Sequence, residues 1–284
     1  MSYAREIERV FVIGSPRSGN TWTRHLLRDL LGLSEFSAHR PDEIDWDRLP
    51  PRAVVQIHWY PLDPFLERLA SVEARVVLVH RHPCDVLMSW LNYMDHVHEE
   101  GKCGGACGAC ELVGATPVSE AFRAWVLSER ARELLCFGPA WMGRPGVIPL
   151  QYESLVADPS TALEELRAGL DVEWRADPAS VLEALGIEAR KRDRDAWQYH
   201  YWQGRPGLGR TLIPAELMRA IAEWIPEAFD RLGYACDPDP DLDATSAELS
   251  WMRLQLASTR EHLWLEKAKH RETAARLAAL ARAG

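Results

Sequence analysis

RVFVIGSPRSGNTW, residues 9–22, is the stretch that decides the fold of this 284-residue chain. Its first part, after Arg9, is an apolar run typical of a buried β-strand, and glycine and proline then indicate a turn. Gly14–Thr21 fits the phosphate-binding loop pattern G-x-x-x-x-G-K-[ST] everywhere except at the lysine, which is Asn20. In such a loop, backbone N–H groups and a helix N-terminus point at one anion. The stretch therefore predicts a strand, an anion-binding loop and a helix through about Leu31.

Three more apolar runs alternate with amphipathic stretches farther along the chain. They cover Ala53–His58, Ala74–His80 and Gly146–Tyr152, and the second leads into a helix from about Asp85. Strands that alternate with helices imply a parallel sheet flanked by helices. Pro149 indicates an edge position or a bulge, because proline donates no ladder hydrogen bond. We therefore predict an α/β fold of the P-loop nucleotide-binding type, with ligands bound beyond the carboxyl ends of the strands.

The chain divides into a globular domain, residues 1–236, and a C-terminal extension, residues 237–284. A glycine- and cysteine-rich insertion covers about 95–118 of the domain, and DPDPDLD from Asp237 is typical of a linker. Apolar residues at heptad-like spacing then predict a long helical extension: Leu249, Met252, Leu256, Leu263, Leu277 and Leu280, interrupted by Glu266 and His270. The pattern fits a short coiled coil, and hence a homo-oligomer, or a helix folded back on its own domain.

Composition narrows the classes of partner and the compartment. The net charge of -9 argues against a nucleic-acid or anionic-membrane surface, so an anionic ligand needs a local group of donors. We expect neither a signal peptide nor a membrane span, because the apolar runs are too short. Three of the six cysteines crowd into residues 103–110 and do not form an extracellular disulfide pattern. These features favour a cytoplasmic protein.

The cysteine cluster Cys103, Cys107 and Cys110 leaves three interpretations open. Its spacing is that of an iron–sulfur motif, but the cluster lies in a late insertion and would leave the phosphate-binding loop unexplained. A structural zinc site would need His96 or His98 as its fourth ligand. A lid with reduced thiols needs no metal at all. We predict that no metal takes part in the reaction.

Several motifs together resemble the sulfotransferases that use 3′-phosphoadenosine-5′-phosphosulfate (PAPS). SPRSGNTW, residues 15–22, resembles the family's 5′-phosphosulfate loop, and RHPCDVLMS, residues 81–89, resembles its 3′-phosphate segment. YESL, residues 152–155, is similar to a segment that follows a later strand in the family. GRPGLG, residues 204–209, is similar to a glycine-rich loop that closes over the 3′-phosphate. The four motifs occur in the family's order and span roughly residues 9–235.

The resemblance implies a PAPS-binding site, with 3′-phosphoadenosine-5′-phosphate (PAP) as the product, and assigns its residues. Trp202 and Gln203 stand where the family has an Arg-Lys pair, and Arg205 is the candidate replacement for that charge. Asp85 we interpret as the cap of the helix after Arg81. The expected nucleotide-binding residues are Arg17, Ser18, Gly19, Asn20, Thr21, Trp22, Arg81, Ser89, Tyr152, Gly204 and Arg205.

Two separate anion sites make physical sense for this donor without the family name. PAPS carries a phosphosulfate at one end and a 3′-phosphate on its ribose. Arg17 and the loop amides would bind the first anion, and Arg81 has a guanidinium suited to bidentate binding of the second. Ser89 lies one helical turn into the helix that follows Arg81. The anion sites are expected at the ends of neighbouring parallel strands.

His58 is the candidate general base. It ends the second predicted strand, where the family has a histidine in a K-T-H-x-P context, with Gln56 here in place of the lysine and Tyr60 inserted before Pro61. A base with a pKa near working pH can deprotonate an acceptor hydroxyl as it attacks sulfur. Arg17 is expected to neutralise charge on the leaving phosphate. The predicted reaction is an in-line transfer that requires no metal.

The resulting functional prediction is sulfuryl transfer from PAPS to a hydroxyl or amine of a small-molecule or glycan acceptor. Two alternatives stay open: a P-loop kinase or NTPase, opposed by Asn20, and a non-catalytic nucleotide-binding protein that acts through its terminal helix. The acceptor itself is not specified by any motif. Aromatic residues near the motif ends are candidates for its pocket: Trp59, Tyr60, Trp90, Tyr93, Trp197 and Tyr199.

Overall fold

The structure, a computed structural model, describes residues 9–99, 110–186, 189 and 202–283. Five parallel strands form one sheet in the order β2-β3-β1-β4-β5. The strands are β1 (Arg9–Ile13), β2 (Ser34–Ala38), β3 (Ala53–Ile57), β4 (Arg75–His80) and β5 (Val147–Gln151). The predicted α/β fold with a parallel sheet is confirmed.

The two edge strands show what the sequence pattern does and does not reveal. Strand β2 was not predicted, because SEFSA contains no apolar run and its first four residues are exposed. Backbone pairing places it in the sheet, with Ser34 opposite Ala53 of β3. Strand β5 forms the opposite edge, where its Pro149 costs no ladder hydrogen bond on the outer side. The edge position predicted from Pro149 is therefore correct.

Helices connect the strands and cover both faces of the sheet. They are α1 (Asn20–Leu31), α2 (Asp63–Ser71), α3 (Pro83–Glu99), α4 (Glu120–Val126), α5 (Glu129–Trp141), α6 (Tyr152–Ala157), α7 (Pro159–Leu170), α8 (Pro178–Leu185), α9 (Leu208–Leu212), α10 (Ala215–Trp224), α11 (Pro226–Asp230) and α12 (Ala244–Ala283). The helix predicted through about Leu31 is α1, and it stops at Gly32, whose φ of 62° is readily available to glycine.

Alternation along the strands separates two apolar cores. Val10 and Val12 of β1 pack with α1, α7 and α8, whereas Phe11 and Ile13 pack with α2 and Trp141 of α5. A third core joins α3, α4, α5 and the short helices α9 to α11. Because both faces of the sheet are covered, the free surface of the sheet is its carboxyl edge. That edge is where polar side chains can meet a ligand.

The first turns of the terminal helix α12 adopt one of the two arrangements that the heptad pattern left open. Ala247 and Trp251 are buried against the third core, so the first turns of the helix fold back on the domain. Four heptad residues face elsewhere and are exposed: Leu249, Met252, Leu256 and Leu263. The side chains of Leu277 and Leu280 lie outside the described residues. Within the described ranges, each helix is too short or too polar to cross a bilayer.

Candidate active site

A cavity of about 450 Å³ lies at the carboxyl edge of the sheet. Four of its wall segments begin directly after a strand: Gly14 follows β1, His58 follows β3, Arg81 follows β4 and Tyr152 follows β5. Parallel strands place their carboxyl ends together, so residues far apart in sequence meet here. The cavity brings together ten of the residues predicted for the site: Arg17, Gly19, Asn20, Thr21, Trp22, His58, Arg81, Ser89, Tyr152 and Gly204.

Two predicted residues do not line this cavity. Ser18 is buried, and its backbone N–H donates to the Ser15 carbonyl at 3.3 Å. Arg205 has an exposed side chain, and only its backbone carbonyl faces the site, where it accepts from Arg81 Nη2 at 3.1 Å. Their contacts with a nucleotide stay predictions. Arg81, in contrast, supplies a charge inside the cavity.

The phosphate-binding loop is held in a conformation that few residue types adopt. A Cβ on Gly14 would lie 2.1 Å from the Val79 carbonyl oxygen, and a Cβ on Gly19 would lie 2.6 Å from Cδ2 of Tyr152. Gly19 has a φ of +104°, and Arg17 itself has a φ of 69°. A non-glycine residue in the left-handed region costs free energy and persists where the surroundings enforce it. The close packing around Gly14 and Gly19 thus holds the backbone of Arg17 in this conformation.

Asn20 occupies the lysine position of the loop pattern but supplies no positive charge. Its side chain is buried, and Nδ2 donates to the Ser15 carbonyl at 2.8 Å. The hydroxyl of Ser15 in turn donates to the Leu135 carbonyl at 3.0 Å. Asn20 therefore fixes the loop from inside and brings no positive charge to a terminal phosphate. The cation at this end of the cavity is Arg17.

Arg17 connects the loop to helix α3. Its Nε donates to the Ser89 hydroxyl at 3.1 Å, and its guanidinium lies 4.7 Å from the centre of the Tyr93 ring. Burial lowers the pKa of Arg17 to about 10; the electrostatic influence of Tyr93 opposes this shift and the positive charge of Arg81 adds to it. An anion between the two guanidinium groups would relieve this cost. The arrangement favours a negatively charged ligand.

Arg81 is the second cation of the cavity and is almost fully buried, at 6% exposure. Its guanidinium lies 4.5 Å from the centre of the Tyr152 ring, and its Nη2 is 3.7 Å from an oxygen of Asp85. The Nε of Arg81 is buried and finds no hydrogen-bond partner among the described residues. A buried N–H without a partner costs free energy, so it is a donor available to a bound anion.

Asp85 does not cap helix α3, contrary to the sequence interpretation. The helix begins at Pro83, and the Asp85 carboxylate instead accepts the backbone N–H groups of Gly207 and Gly209, at 2.8 and 2.7 Å. Gly209 can approach this closely because it has no side chain: a Cβ would lie 2.4 Å from that of Cys84. Asp85 thus holds the 204–209 loop beside Arg81.

Changing Asp85 to asparagine is expected to loosen that loop. The amide oxygen of asparagine can replace only part of a carboxylate that binds two N–H groups while buried at 1% exposure. The free energy of unfolding should fall by about 1–3 kcal/mol, and the Gly207 and Gly209 amides should exchange hydrogen faster. Urea unfolding and hydrogen-exchange measurements test both. The exposed Asp47→Asn is the matched control; an equal effect there would contradict the role of Asp85.

Tyr152 organises the centre of the site. Its hydroxyl donates to the Gly204 carbonyl at 2.8 Å, and its ring meets Trp22 edge-on with the centroids 6.0 Å apart. Glu153 next to it accepts from the His82 backbone N–H at 2.8 Å and from the Tyr234 hydroxyl at 2.7 Å. Strand β5 and the chain after β4 are therefore locked together around Arg81. Nothing in the YESL motif alone indicates this bracing role of Glu153.

His58 has a defined protonation state. Its Nδ1 lies 2.7 Å from the Gly14 carbonyl, which can only accept, and its Nε2 lies 3.3 Å from Nε2 of Gln56. Burial lowers the pKa of His58 to about 4, opposed by the Gly14 bond and assisted by His39 and Arg17. The imidazole is therefore neutral near pH 7, as a general base must be, but its pKa lies below the value near working pH that is expected from the sequence.

The aromatic candidates for an acceptor pocket separate into two groups. Trp90 and Tyr93 line the cavity, together with Trp202. Trp59 and Tyr60 do not, since Trp59 packs on the core and the Tyr60 hydroxyl donates to the Glu133 carbonyl at 3.0 Å. Trp197 and Tyr199 lie outside the described residues.

The interpretations of the cysteine cluster fall mostly outside the structure. Cys103 and Cys107 lie outside the described residues, as do the side chains of His96 and His98, and Cys110 is exposed. Among the residues that the structure describes, no three or more His, Cys, Asp or Glu side chains gather closely enough to hold a metal ion.

Solved structures share this architecture. Mouse sulfotransferase SULT7A1 complexed with PAP aligns with a TM-score of 0.59 and 15% identity, over 79% of this chain and 84% of that one. Retinol dehydratase in complex with androsterone and inactive cofactor PAP gives 0.52 and 16%, over 83% of each chain. Retinol dehydratase with retinol and PAP gives 0.51 and 16%, over 84% of each. The sequence itself matches no family model and no curated protein.

Topology and structural similarity together define the fold of the chain. Its central β1, glycine-rich loop and strand order identify an α/β fold of the P-loop type. Within that class, the fold is similar to that of a mouse sulfotransferase crystallised with PAP. The expected sulfotransferase fold is confirmed.

Proposed function

We propose that the protein is a PAPS-dependent sulfotransferase. It transfers a sulfuryl group to a hydroxyl or amine of a small-molecule or glycan acceptor and releases PAP. One observation carries the proposal: Arg17, His58 and Arg81 line one cavity at the carboxyl edge of a sulfotransferase fold. Two cations and one neutral imidazole are the groups that a two-anion donor and a deprotonation step require.

The cavity residues fit the donor. Arg17 and the loop amides would bind the phosphosulfate end, while Arg81, with an unpartnered Nε–H within the described part of the chain, and Ser89 would bind the 3′-phosphate. Trp22, at the cavity wall beside Tyr152, offers a ring for the adenine. Bound PAPS supplies a sulfuryl group attached to a phosphate leaving group.

The side chains divide the chemistry between them. His58 takes the acceptor proton on Nε2, while its Nδ1–H stays on the Gly14 carbonyl and stabilises the imidazolium that forms. Arg17 neutralises charge that develops on the leaving side. Because the phosphate-binding loop fixes Arg17 and strand β3 fixes His58, positioning contributes the rest. No step in this scheme calls for a metal ion.

The alternatives receive less support. A kinase or NTPase uses the loop lysine on the β- and γ-phosphates, whereas Asn20 is buried here and bonded to Ser15. A non-catalytic nucleotide-binding protein has no use for a buried, neutral histidine in the same cavity as both cations. The placement of His58 therefore supports catalysis over binding alone.

The aromatic lining of the cavity supports a partly apolar acceptor. Trp90, Tyr93 and Trp202 supply aromatic walls, and aromatic faces bind both lipophilic rings and the apolar faces of sugars. Both acceptor classes, a small molecule and a glycan, are compatible with such walls. The acceptor is best found by experiment.

Three further features are part of the proposal. The catalytic domain is residues 1–236, followed by a linker and helix in 237–284. Cysteine usage supports a cytoplasmic location. The exposed heptad residues of α12, from Leu249 to Leu263, support self-association. Light scattering measures that association.

Incubation with ³⁵S-labelled PAPS and a metabolite extract is expected to yield a labelled organic product. The label must appear with the wild-type protein and be absent with His58→Ala, while γ-³²P-labelled ATP yields no labelled product. Mass spectrometry of the labelled fraction then identifies the acceptor. Transfer of ³²P, or binding of PAP with no sulfuryl transfer to any fraction, would contradict the proposal and favour one of the two alternatives.

A further inference from the structure

We propose that Gln56 is a positioning residue, whose side-chain amide fixes the tautomer of His58 and connects this base to Thr21 of the phosphate-binding loop. As a statement about catalysis, this rests on the proposed function; as a statement about the free protein, it does not. All three side chains line the same cavity. The sequence motifs mark Gln56 only as a departure from the family pattern.

Three hydrogen bonds form one continuous chain. The Thr21 hydroxyl donates to Oε1 of Gln56 at 3.2 Å, Nε2 of Gln56 faces Nε2 of His58 at 3.3 Å, and Nδ1 of His58 faces the Gly14 carbonyl at 2.7 Å. The chain thus begins and ends on the same loop, at Thr21 and Gly14. Gln56 on strand β3 is its middle member.

Proton bookkeeping determines the direction of these bonds. The Gly14 carbonyl only accepts, so Nδ1 of His58 carries a hydrogen. If the Gln56 amide were turned over, its oxygen would face Nε2 of His58, and that nitrogen would also need a hydrogen. The histidine would then be a cation, which its burial and the positive charge of Arg17 disfavour. Gln56 must therefore donate, and the Nε2 of His58 must hold a lone pair.

This direction has a functional consequence. The lone pair that would accept a proton from the acceptor is occupied by Gln56, so an acceptor hydroxyl must take the place of that amide. Thr21 holds the other end of the amide with a single hydroxyl hydrogen. An anion that takes this hydrogen in the loop leaves Gln56 free to turn. Binding of an anion in the loop and exposure of the His58 lone pair are thereby linked through the side chain of Gln56.

Nuclear magnetic resonance of the free protein, with ¹⁵N-labelled histidine, tests the inference without turnover. The wild-type His58 should show a bare Nε2 and a protonated Nδ1. Gln56→Met, which keeps the length but not the amide, should raise the proton affinity of His58 by about 3- to 10-fold, because a bond to the neutral form is lost. Gln56→Glu should raise it further, because a carboxylate stabilises the imidazolium.

Matched variants separate positioning from packing. Gln203→Met removes another amide from the cavity wall, one that donates to the Ser258 hydroxyl at 3.0 Å, and should leave the nitrogen shifts of His58 unchanged. If the Gln56 variants do not fold, Thr21→Val should raise the proton affinity of His58 and Thr21→Ser should restore it. A Gln56→Met protein whose His58 titrates as in the wild type overturns the inference, and so does an equal change in Gln203→Met.

Failure of the inference and failure of the proposed function give different results. A raised proton affinity of His58 in Gln56→Met with no sulfuryl transfer by the wild type would support the hydrogen-bond chain and contradict the sulfotransferase. Where transfer is found, the acid limb of the kcat/KM profile should move to higher pH in Gln56→Met, while PAP affinity by calorimetry stays within about threefold, since the amide contributes at most one neutral hydrogen bond.

Discussion

Replacing His58 with alanine is expected to lower turnover by about 10²- to 10⁴-fold, the range that a positioned general base contributes. The imidazole is neutral and lines the cavity, so its loss removes the proposed proton acceptor. Nucleotide binding should survive, because the cations of the cavity are Arg17 and Arg81. Initial rates with labelled PAPS measure the first effect, and calorimetry with PAP measures the second.

Two controls make the His58 result decisive. His39→Ala changes the other histidine of the cavity wall and should lower turnover far less. His58→Gln keeps a donor for the Gly14 carbonyl without restoring a base, so the loop should keep its shape while turnover stays low. A PAP affinity that falls as much as the rate in His58→Ala would mean that this histidine is structural.

Replacing Arg81 with alanine is expected to weaken PAP binding by about 10- to 200-fold. A hydrogen bond to a charged group is worth about 1.5–3 kcal/mol, and 1.4 kcal/mol corresponds to a factor of ten. Adenosine 5′-phosphosulfate lacks the 3′-phosphate, so its affinity should change by less than about threefold if the donors that bind its anion are untouched. Calorimetry with both nucleotides gives the ratio directly.

The geometry around Arg81 defines the control. Arg210→Ala removes an exposed arginine of helix α9 that pairs with Asp237 at 3.3 Å, so it tests the general loss of positive charge near the loop. It should leave both affinities nearly unchanged, because exposed ion pairs contribute little. Equal weakening of both nucleotides by Arg81→Ala would remove Arg81 from the 3′-phosphate site.

Strand ends are the part of this site that the sequence predicts well. Gly14, His58, Arg81 and Tyr152 each follow an apolar run, and a parallel sheet brings the ends of such runs together. Strand β2 escapes prediction because its residues are polar and exposed, and only pairing with β3 reveals it. Hydrophobicity patterns predict strands that are buried, and most residues of β2 are exposed.

Contacts between distant segments are the part that the sequence does not predict. The Arg17–Ser89 bond joins residues 72 positions apart, and the carboxylate of Asp85 reaches glycines more than 120 positions away. Each has an equally good local interpretation from the sequence: Arg17 as a cation of the loop and Asp85 as a helix cap. Tertiary packing determines which role each side chain has, and these long-range contacts cannot be derived from a single sequence.

The attachment of helix α12 makes the C-terminal segment a support behind the cavity wall and not a dispensable tail. Trp251 meets Trp202 edge-on at 5.8 Å between ring centroids, and Ser258 accepts a hydrogen bond from Gln203. Trp202 and Gln203 line the cavity. A protein shortened after the linker would leave one side of the cavity without support, so proteins made for assays or crystals should retain these turns.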